Sequence, residues 1–184
     1  ALAVINPEAP ASVLADAVTR FRRRLSDEPH LILCNRIFQE MLTEGIQIEH
    51  RSDGDSRTFT IHLVDRINQS NNNWLAVNQV EIWDARNREH RIPDIVIYLN
   101  GLPVTVFELK TFANERVHLK SAYGQLQWYK KGIPRLFETN TLLVTSNGKF
   151  SRYGSLTAGW DRFMPWRSME ENEIPVNVEM ELEV

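Results

Sequence analysis

One cysteine, Cys34, occurs in 184 residues. A lone thiol rules out a disulfide framework and any zinc cluster built on cysteine, and it fits a reducing compartment such as the cytoplasm. No apolar run approaches the roughly 20 residues that span a bilayer, so no membrane segment is expected. Low-complexity bias is missing too, with 8 glycines and 8 prolines. Positive charge is not in excess: 21 Lys and Arg against 24 Asp and Glu leave a net charge of -3 and a pI near 6.0. That argues against a protein that coats nucleic acid indiscriminately. No basic-then-apolar leader opens the chain. No G-x-x-x-x-G-K-[ST] phosphate loop is present, Asn147-Gly148-Lys149 not being one, so these residues alone hydrolyse no ATP. His50, His62, His90 and His118 show no metal-ligand spacing and no shared face, which leaves nucleophile-triad chemistry with little support.

What is present is an ordinary soluble balance, 42% hydrophobic and 24% charged. A chain of this length buries roughly 70% of its unfolded surface and needs no staple. Leu14, Ala17, Val18, Phe21 and Leu25 repeat at helical spacing over residues 11–25, with Arg20, Arg22, Arg23 and Arg24 outward. Residues 35–44 read as a second helix with Ile37, Phe38, Met41 and Leu42 inward, stopped by Gly45. From Ile46 the period changes to two. Strands are expected at Ile46 and Ile48, over residues 59–63 and over residues 75–83, with a turn at 52–56, a polar loop at 69–73 and a charged turn at 84–89. Residues 95–99 and 104–109 are apolar on both faces, as central strands covered on each side are, and Asn100-Gly101 joins them as a hairpin. Residues 115–131 carry Leu119, Ala122, Tyr123, Leu126 and Tyr129 at helical spacing, and a short apolar strand follows at 141–145. Strand, helix, strand at this spacing predicts a parallel crossover. The five tryptophans are scattered and read as core rather than as a base-stacking platform, and Cys34 reads as buried.

The chemistry concentrates in Pro93-Asp94 and, fourteen residues on, Glu108-Leu109-Lys110. Glu108 and Lys110 point the same way on a strand, and Asp94 opens the partner strand. Charge ending otherwise apolar strands is costly unless it is used or solvated. Carboxylates are natural ligands of Mg²⁺, and a bound Mg²⁺ polarises a phosphodiester and acidifies a water. Lys110 can orient that water or neutralise developing charge. A salt-bridged hairpin end is the plain alternative. Face parity supplies a check. With a two-residue Asn100-Gly101 loop, regular pairing sets Asp94 opposite Phe107 and turns Glu108 to the other face. A working pair therefore predicts an odd loop or a bulge. Gln125 and Tyr129, at i and i+4 on the following helix, share a face and can contact phosphate or position a catalytic group.

Pro93-Asp94, Glu108-Leu109-Lys110 and Gln125-x-x-x-Tyr129 together resemble the PD-(D/E)xK nuclease superfamily in its RecB-like branch. Further phrases resemble the N-terminal domain of type I restriction enzyme R subunits: Asn78-Gln79, residues 91–96, Asn100-Gly101-Leu102-Pro103, residues 107–110, Lys130, Ile133-Pro134, Arg152-Tyr153-Gly154-Ser155-Leu156 and Phe163-Met164-Pro165-Trp166. The likeness runs from about Asn35 to Trp166. It implies an α/β restriction-endonuclease-like fold, a mixed central sheet flanked by helices. Residues 1–166 would form the nuclease domain, helical to about residue 45, its sheet core over about 46–150. Residues 167–184 would be a linker toward a helicase-like motor outside this stretch, and the chain itself reads as a piece of something longer. The implied activity is Mg²⁺-dependent hydrolysis of double-stranded DNA, with one or two ions, in a cytoplasmic complex with modification and specificity subunits, where the full-length subunit and not this stretch uses ATP. Asp94, Glu108, Lys110, Gln125 and Tyr129 match the catalytic positions, Asp94, Glu108 and the Leu109 carbonyl being the metal ligands. Glu40 or Glu44 is a candidate for the extra acid that the superfamily often draws from its first core helix. Arg91, Lys120, Lys130, Lys131, Lys149 and Arg152 are candidates for phosphate contacts. A non-catalytic assembly or DNA-docking module, or a stand-alone nuclease of the same superfamily, are the competing readings.

Overall fold

The structure is a computed structural model that describes residues 1–52, 55–85, 88–111 and 115–167. Three helices lead: α1 (Leu2–Ile5), α2 (Ala11–Ser26) and α3 (Leu31–Glu44). A hairpin of β1 (Ile46–Ser52) and β2 (Asp55–Ile61) follows. Then come β3 (Trp74–Asn78), β4 (Ile82–Asp84), β5 (Glu89–Arg91), β6 (Ile95–Leu99), β7 (Leu102–Leu109), α4 (Glu115–Gly132), β8 (Leu142–Ser146), β9 (Ser151–Gly154) and β10 (Met164–Pro165). The central sheet has the order β10-β9-β8-β7-β6-β3, and β1-β2 and β4-β5 are separate ribbons. Within the central sheet β7 and β8 are parallel and the other neighbours antiparallel. The fold is thus mixed α/β with a mixed central sheet, and the strand-helix-strand crossover is β7-α4-β8. No helix among the described residues is long and apolar enough to cross a membrane.

Two apolar clusters lie on opposite faces of the β6-β7 ribbon. One joins Val13, Ala17 and Leu25 of α2, Cys34, Phe38 and Met41 of α3, Ile46, Ile48 and Ile61 of the first hairpin, and Val104, with Ile97 and Leu99 against them. The other joins Val96 and Val106 to Leu126 and Tyr129 of α4, Ile133, Phe137, Leu143 and Phe163. That is why both central strands are apolar on both faces.

Three expectations need correction. The start of α3 lies at Leu31, four residues before the expected one, with His30 as N-cap residue. Asn35 resembles a cap in sequence. Its amide instead donates across the molecule to the carbonyls of Phe137, Glu138 and Asn140 at 3.3, 3.2 and 2.7 Å. The strand expected over 75–83 is two strands in different sheets. Gln79 adopts φ +48 and its N–H donates to the Asp94 carbonyl at 2.8 Å, so the chain leaves the sheet there. Four tryptophans are not core: Trp74, Trp83, Trp128 and Trp166 are half or more exposed. Cys34 is buried, as expected. The turn around 53–54 and, beyond Arg167, the expected linker lie outside the described residues.

Candidate active site

Asn100 and Gly101 both take positive φ, 53° and 84°, and make a two-residue hairpin loop with Leu99 opposite Leu102. The register then slips between Tyr98, opposite Pro103, and Ile97, opposite Thr105. Val104 is the extra residue of a bulge. Pro103 has no N–H for the ladder, so a break here loses little. The Val104 carbonyl accepts from the Thr141 N–H at 2.7 Å and hydroxyl at 2.9 Å, and from Asn140 Nδ2 at 3.3 Å. Beyond the bulge Val96 pairs with Val106 and Ile95 with Phe107. Continued by one residue, this register sets Asp94 opposite Glu108, both on the face of Val96 and Val106 that packs against α4.

Asp94 is partly buried, and its Oδ2 accepts from the Leu109 N–H at 2.7 Å. Glu108 is 1% exposed. Lys110 Nζ donates to Glu108 Oε1 at 2.8 Å and to Gln125 Oε1 at 2.6 Å. Gln125 Nε2 donates to the Tyr129 hydroxyl at 2.6 Å, and that hydroxyl donates to the Ile92 carbonyl at 3.3 Å. Lys110 has only donors, so Gln125 must turn its oxygen to Lys110 and its Nε2 to Tyr129, and its amide can sit only one way round. The five side chains proposed from the sequence therefore meet at one site.

Glu108 Oε2 is the exception, a buried oxygen with no hydrogen-bond partner among the described residues. Burial, chiefly, pushes the Glu108 carboxyl above its ordinary value; Asp94 adds to the rise, and Lys110 and the nearby Tyr129 hydroxyl oppose it. Burial also pushes the Tyr129 hydroxyl up to about 12, so it stays protonated and keeps donating to Ile92. A buried acid whose charged form is disfavoured, with one oxygen unpaired, is a group that a cation would satisfy. Among the described residues no group of three or more His, Cys, Asp and Glu could hold a metal ion. The pair Asp94 and Glu108 nevertheless fits Mg²⁺, which takes one or two carboxylates and keeps waters for the rest.

The other candidates are held differently. Glu40 pairs with Arg36 at 3.6 Å, and both it and Glu44 are exposed on α3, whose buried residues join the cluster on the far face. Arg91 lies with its guanidinium 3.5 Å from the centre of the Trp128 ring and bonds Glu89 Oε2 at 2.6 Å. Lys130 donates to the Leu156 carbonyl at 2.8 Å, and Arg152 to the Phe163 carbonyl at 2.9 Å. These three are structural, whereas Lys120 is exposed on α4. Three neighbours of the site escaped sequence reasoning: the Gln79 N–H on the Asp94 carbonyl, the Ile92 carbonyl under Tyr129, and Thr145, buried in register with Glu108 on β8, its hydroxyl without a hydrogen-bond partner among the described residues. The first two are backbone groups without any signature in the sequence. Thr145 was legible only as part of an apolar strand.

The family model for the type I restriction enzyme R protein N terminus matches residues 1–162. The chain belongs to that family. The endonuclease subunit of type I restriction enzyme HindI from Haemophilus influenzae is 38% identical over 167 residues, 91% of this chain and 16% of that protein. A putative MjaIXP endonuclease subunit from Methanocaldococcus jannaschii is 34% identical over 148 residues, 80% of this chain and 14% of that protein. The EcoprrI endonuclease subunit of Escherichia coli is 33% identical over 112 residues, 59% of this chain and 34% of that protein. The chain thus spans about a sixth of the first two relatives.

Proposed function

We propose that this chain is the DNA-cutting domain of a type I restriction enzyme R subunit, a Mg²⁺-dependent endonuclease of PD-(D/E)xK type. The observation that carries the reading is the unpaired, buried Glu108 Oε2 beside Asp94 and Lys110. Asp94 and Glu108 would hold the ion, with the Leu109 carbonyl as a further ligand. When bound, Mg²⁺ supplies a lowered pKa to a water and neutralises charge on the phosphate. The protein's own groups do the rest. Lys110 carries three N–H donors; two are held by Glu108 and Gln125, and the third is left for the attacking water or a phosphate oxygen. Gln125 fixes where Lys110 sits, and Tyr129 fixes Gln125 from the Ile92 carbonyl. Lys110 is therefore held in place before substrate arrives.

The substrate proposed is double-stranded DNA, delivered by a helicase-like, ATP-consuming motor of the same polypeptide, within a cytoplasmic complex that includes modification and specificity subunits. The test is nicking of supercoiled plasmid by the complete complex, comparing Lys110→Ala with wild type at matched ATP consumption. Nicking should fall at least 100-fold, in line with the loss of a transition-state donor. Equal nicking would reject the assignment. Calorimetry with Asp94→Ala separates this reading from a non-catalytic docking module: unchanged Mg²⁺ or Mn²⁺ binding would favour docking.

A further inference from the structure

The β4-β5 ribbon runs directly into Pro93-Asp94, and its two faces differ. Ile82, Asp84 and Arg91 alternate onto one face; Ile82 packs into the cluster around α4, Asp84 is buried and Arg91 covers Trp128. Trp83 and His90, paired across the ribbon, occupy the other. Their rings stack at 4.5 Å with 21° between planes, yet Trp83 is 71% exposed. One face of the indole rests on the imidazole and the other is open. His90 Nε2 lies 3.8 Å from a Glu81 carboxylate oxygen, beyond hydrogen-bond reach, so the brace is the stacked ring itself. A large apolar ring braced on one side and bare on the other is costly to leave in water.

We propose that Trp83, braced by His90, is a DNA contact that stacks on a base or sugar flanking the phosphate being cut. Resting on the nuclease reading above, the inference names how that site grips its substrate. Asp94 is four residues on from His90, and an extended chain covers at most about 14 Å over that stretch. At 3.4 Å per base-pair step this is at most roughly four base pairs, so the indole is within reach of a duplex held at Asp94 and Glu108. Arg88, exposed at the ribbon tip, adds a cation of the right sign for the backbone. Stacking needs only a π face, so the contact is indifferent to sequence.

The test uses the complete complex. DNA substituted with 5-iodo-2′-deoxyuridine is irradiated with the Lys110→Ala complex during ATP turnover, and cross-linked peptides are mapped. Trp83 should carry the cross-link. In the otherwise wild-type complex, Trp83→Ala should lower nicking about five- to 150-fold, the range that base–aromatic stacking supports, with ATP consumption and Mg²⁺ binding unchanged. Trp83→Phe should keep most of the activity, which excludes misfolding as the cause. Absence of the Trp83 cross-link, or nicking by Trp83→Ala equal to wild type, would overturn the proposal. So would protection of Trp83 from N-bromosuccinimide in the DNA-free complex, because another protein segment would then cover it. Should Lys110→Ala nick normally, the nuclease reading fails while the cross-link still reports on Trp83.

Discussion

Glu108 sets the site's properties through where its carboxylate lies. Burial disfavours the charged form and outweighs Lys110 in the balance, so the carboxyl titrates above its usual 4.5. A carboxyl raised in the folded state binds its proton more tightly there than in the unfolded chain. Its contribution to stability is therefore fully present below about 4.5 and is lost as pH rises through the raised value. Glu108→Gln removes the titration while keeping the shape and an oxygen for Lys110. The variant and wild type should melt together at low pH. As pH rises above 4.5 the variant should become the more stable of the two. Mg²⁺ should then raise the melting temperature of wild type only, since a ligand stabilises the state that binds it. Thermal melts across pH, with and without Mg²⁺, check both halves. A wild type that outlasts the variant at neutral pH without metal would mean that Glu108 is a structural ion pair.

Hairpin, bulge and helix convert that residue chemistry into geometry, and here the sequence was partly readable. Asp94, Glu108, Lys110, Gln125 and Tyr129 could be named because acids and a lysine interrupt apolar strands, and because i and i+4 share a helix face. Parity also demanded either an odd loop or a bulge, and a bulge at Val104 is what the ribbon contains. Its position was not legible, because it is decided by partners far along the chain: Thr141 and Asn140 hold the Val104 carbonyl. The same remoteness hid the true start of α3, where Asn35 serves the 137–140 segment rather than its own helix. Asn140 is the hub of this arrangement. It is 1% exposed, its Nδ2 donates to the Val104 and Leu142 carbonyls, and its own carbonyl accepts from Asn35 and Gln39. Asn140→Ala strips buried carbonyls of a donor and should cost about 1–3 kcal/mol in denaturant unfolding. Mg²⁺ affinity should fall less than it does for Asp94→Ala, because the Asp94–Leu109 bond remains.

At the scale of the whole molecule, the helical first quarter is part of the same folding unit as the sheet. The sequence showed the helices of this region but not their packing surface, since an amphipathic stripe reports that a face is buried and not against what. The structure answers with one cluster that takes Val13, Ala17 and Leu25 from α2, Cys34, Phe38 and Met41 from α3, and Val104 from the bulge of β7. The strand that carries Glu108 on one face is thus covered by α2 and α3 on the other. Removing residues 1–45 deletes those six buried side chains and bares Ile46, Ile48, Ile61, Leu63 and Val104. Baring those five on a chain that still carries its own ordering cost loses about 1.5–3 kcal/mol for each, which reaches the whole net stability of a domain, roughly 5–15 kcal/mol. A variant lacking residues 1–45 should therefore lose its near-UV circular dichroism and its cooperative melt, and with them Mg²⁺ binding at Asp94 and Glu108. A shortened chain that still melted cooperatively and bound Mg²⁺ as the intact one does would show the sheet and α4 to be self-sufficient, with the first helices serving only as an attachment.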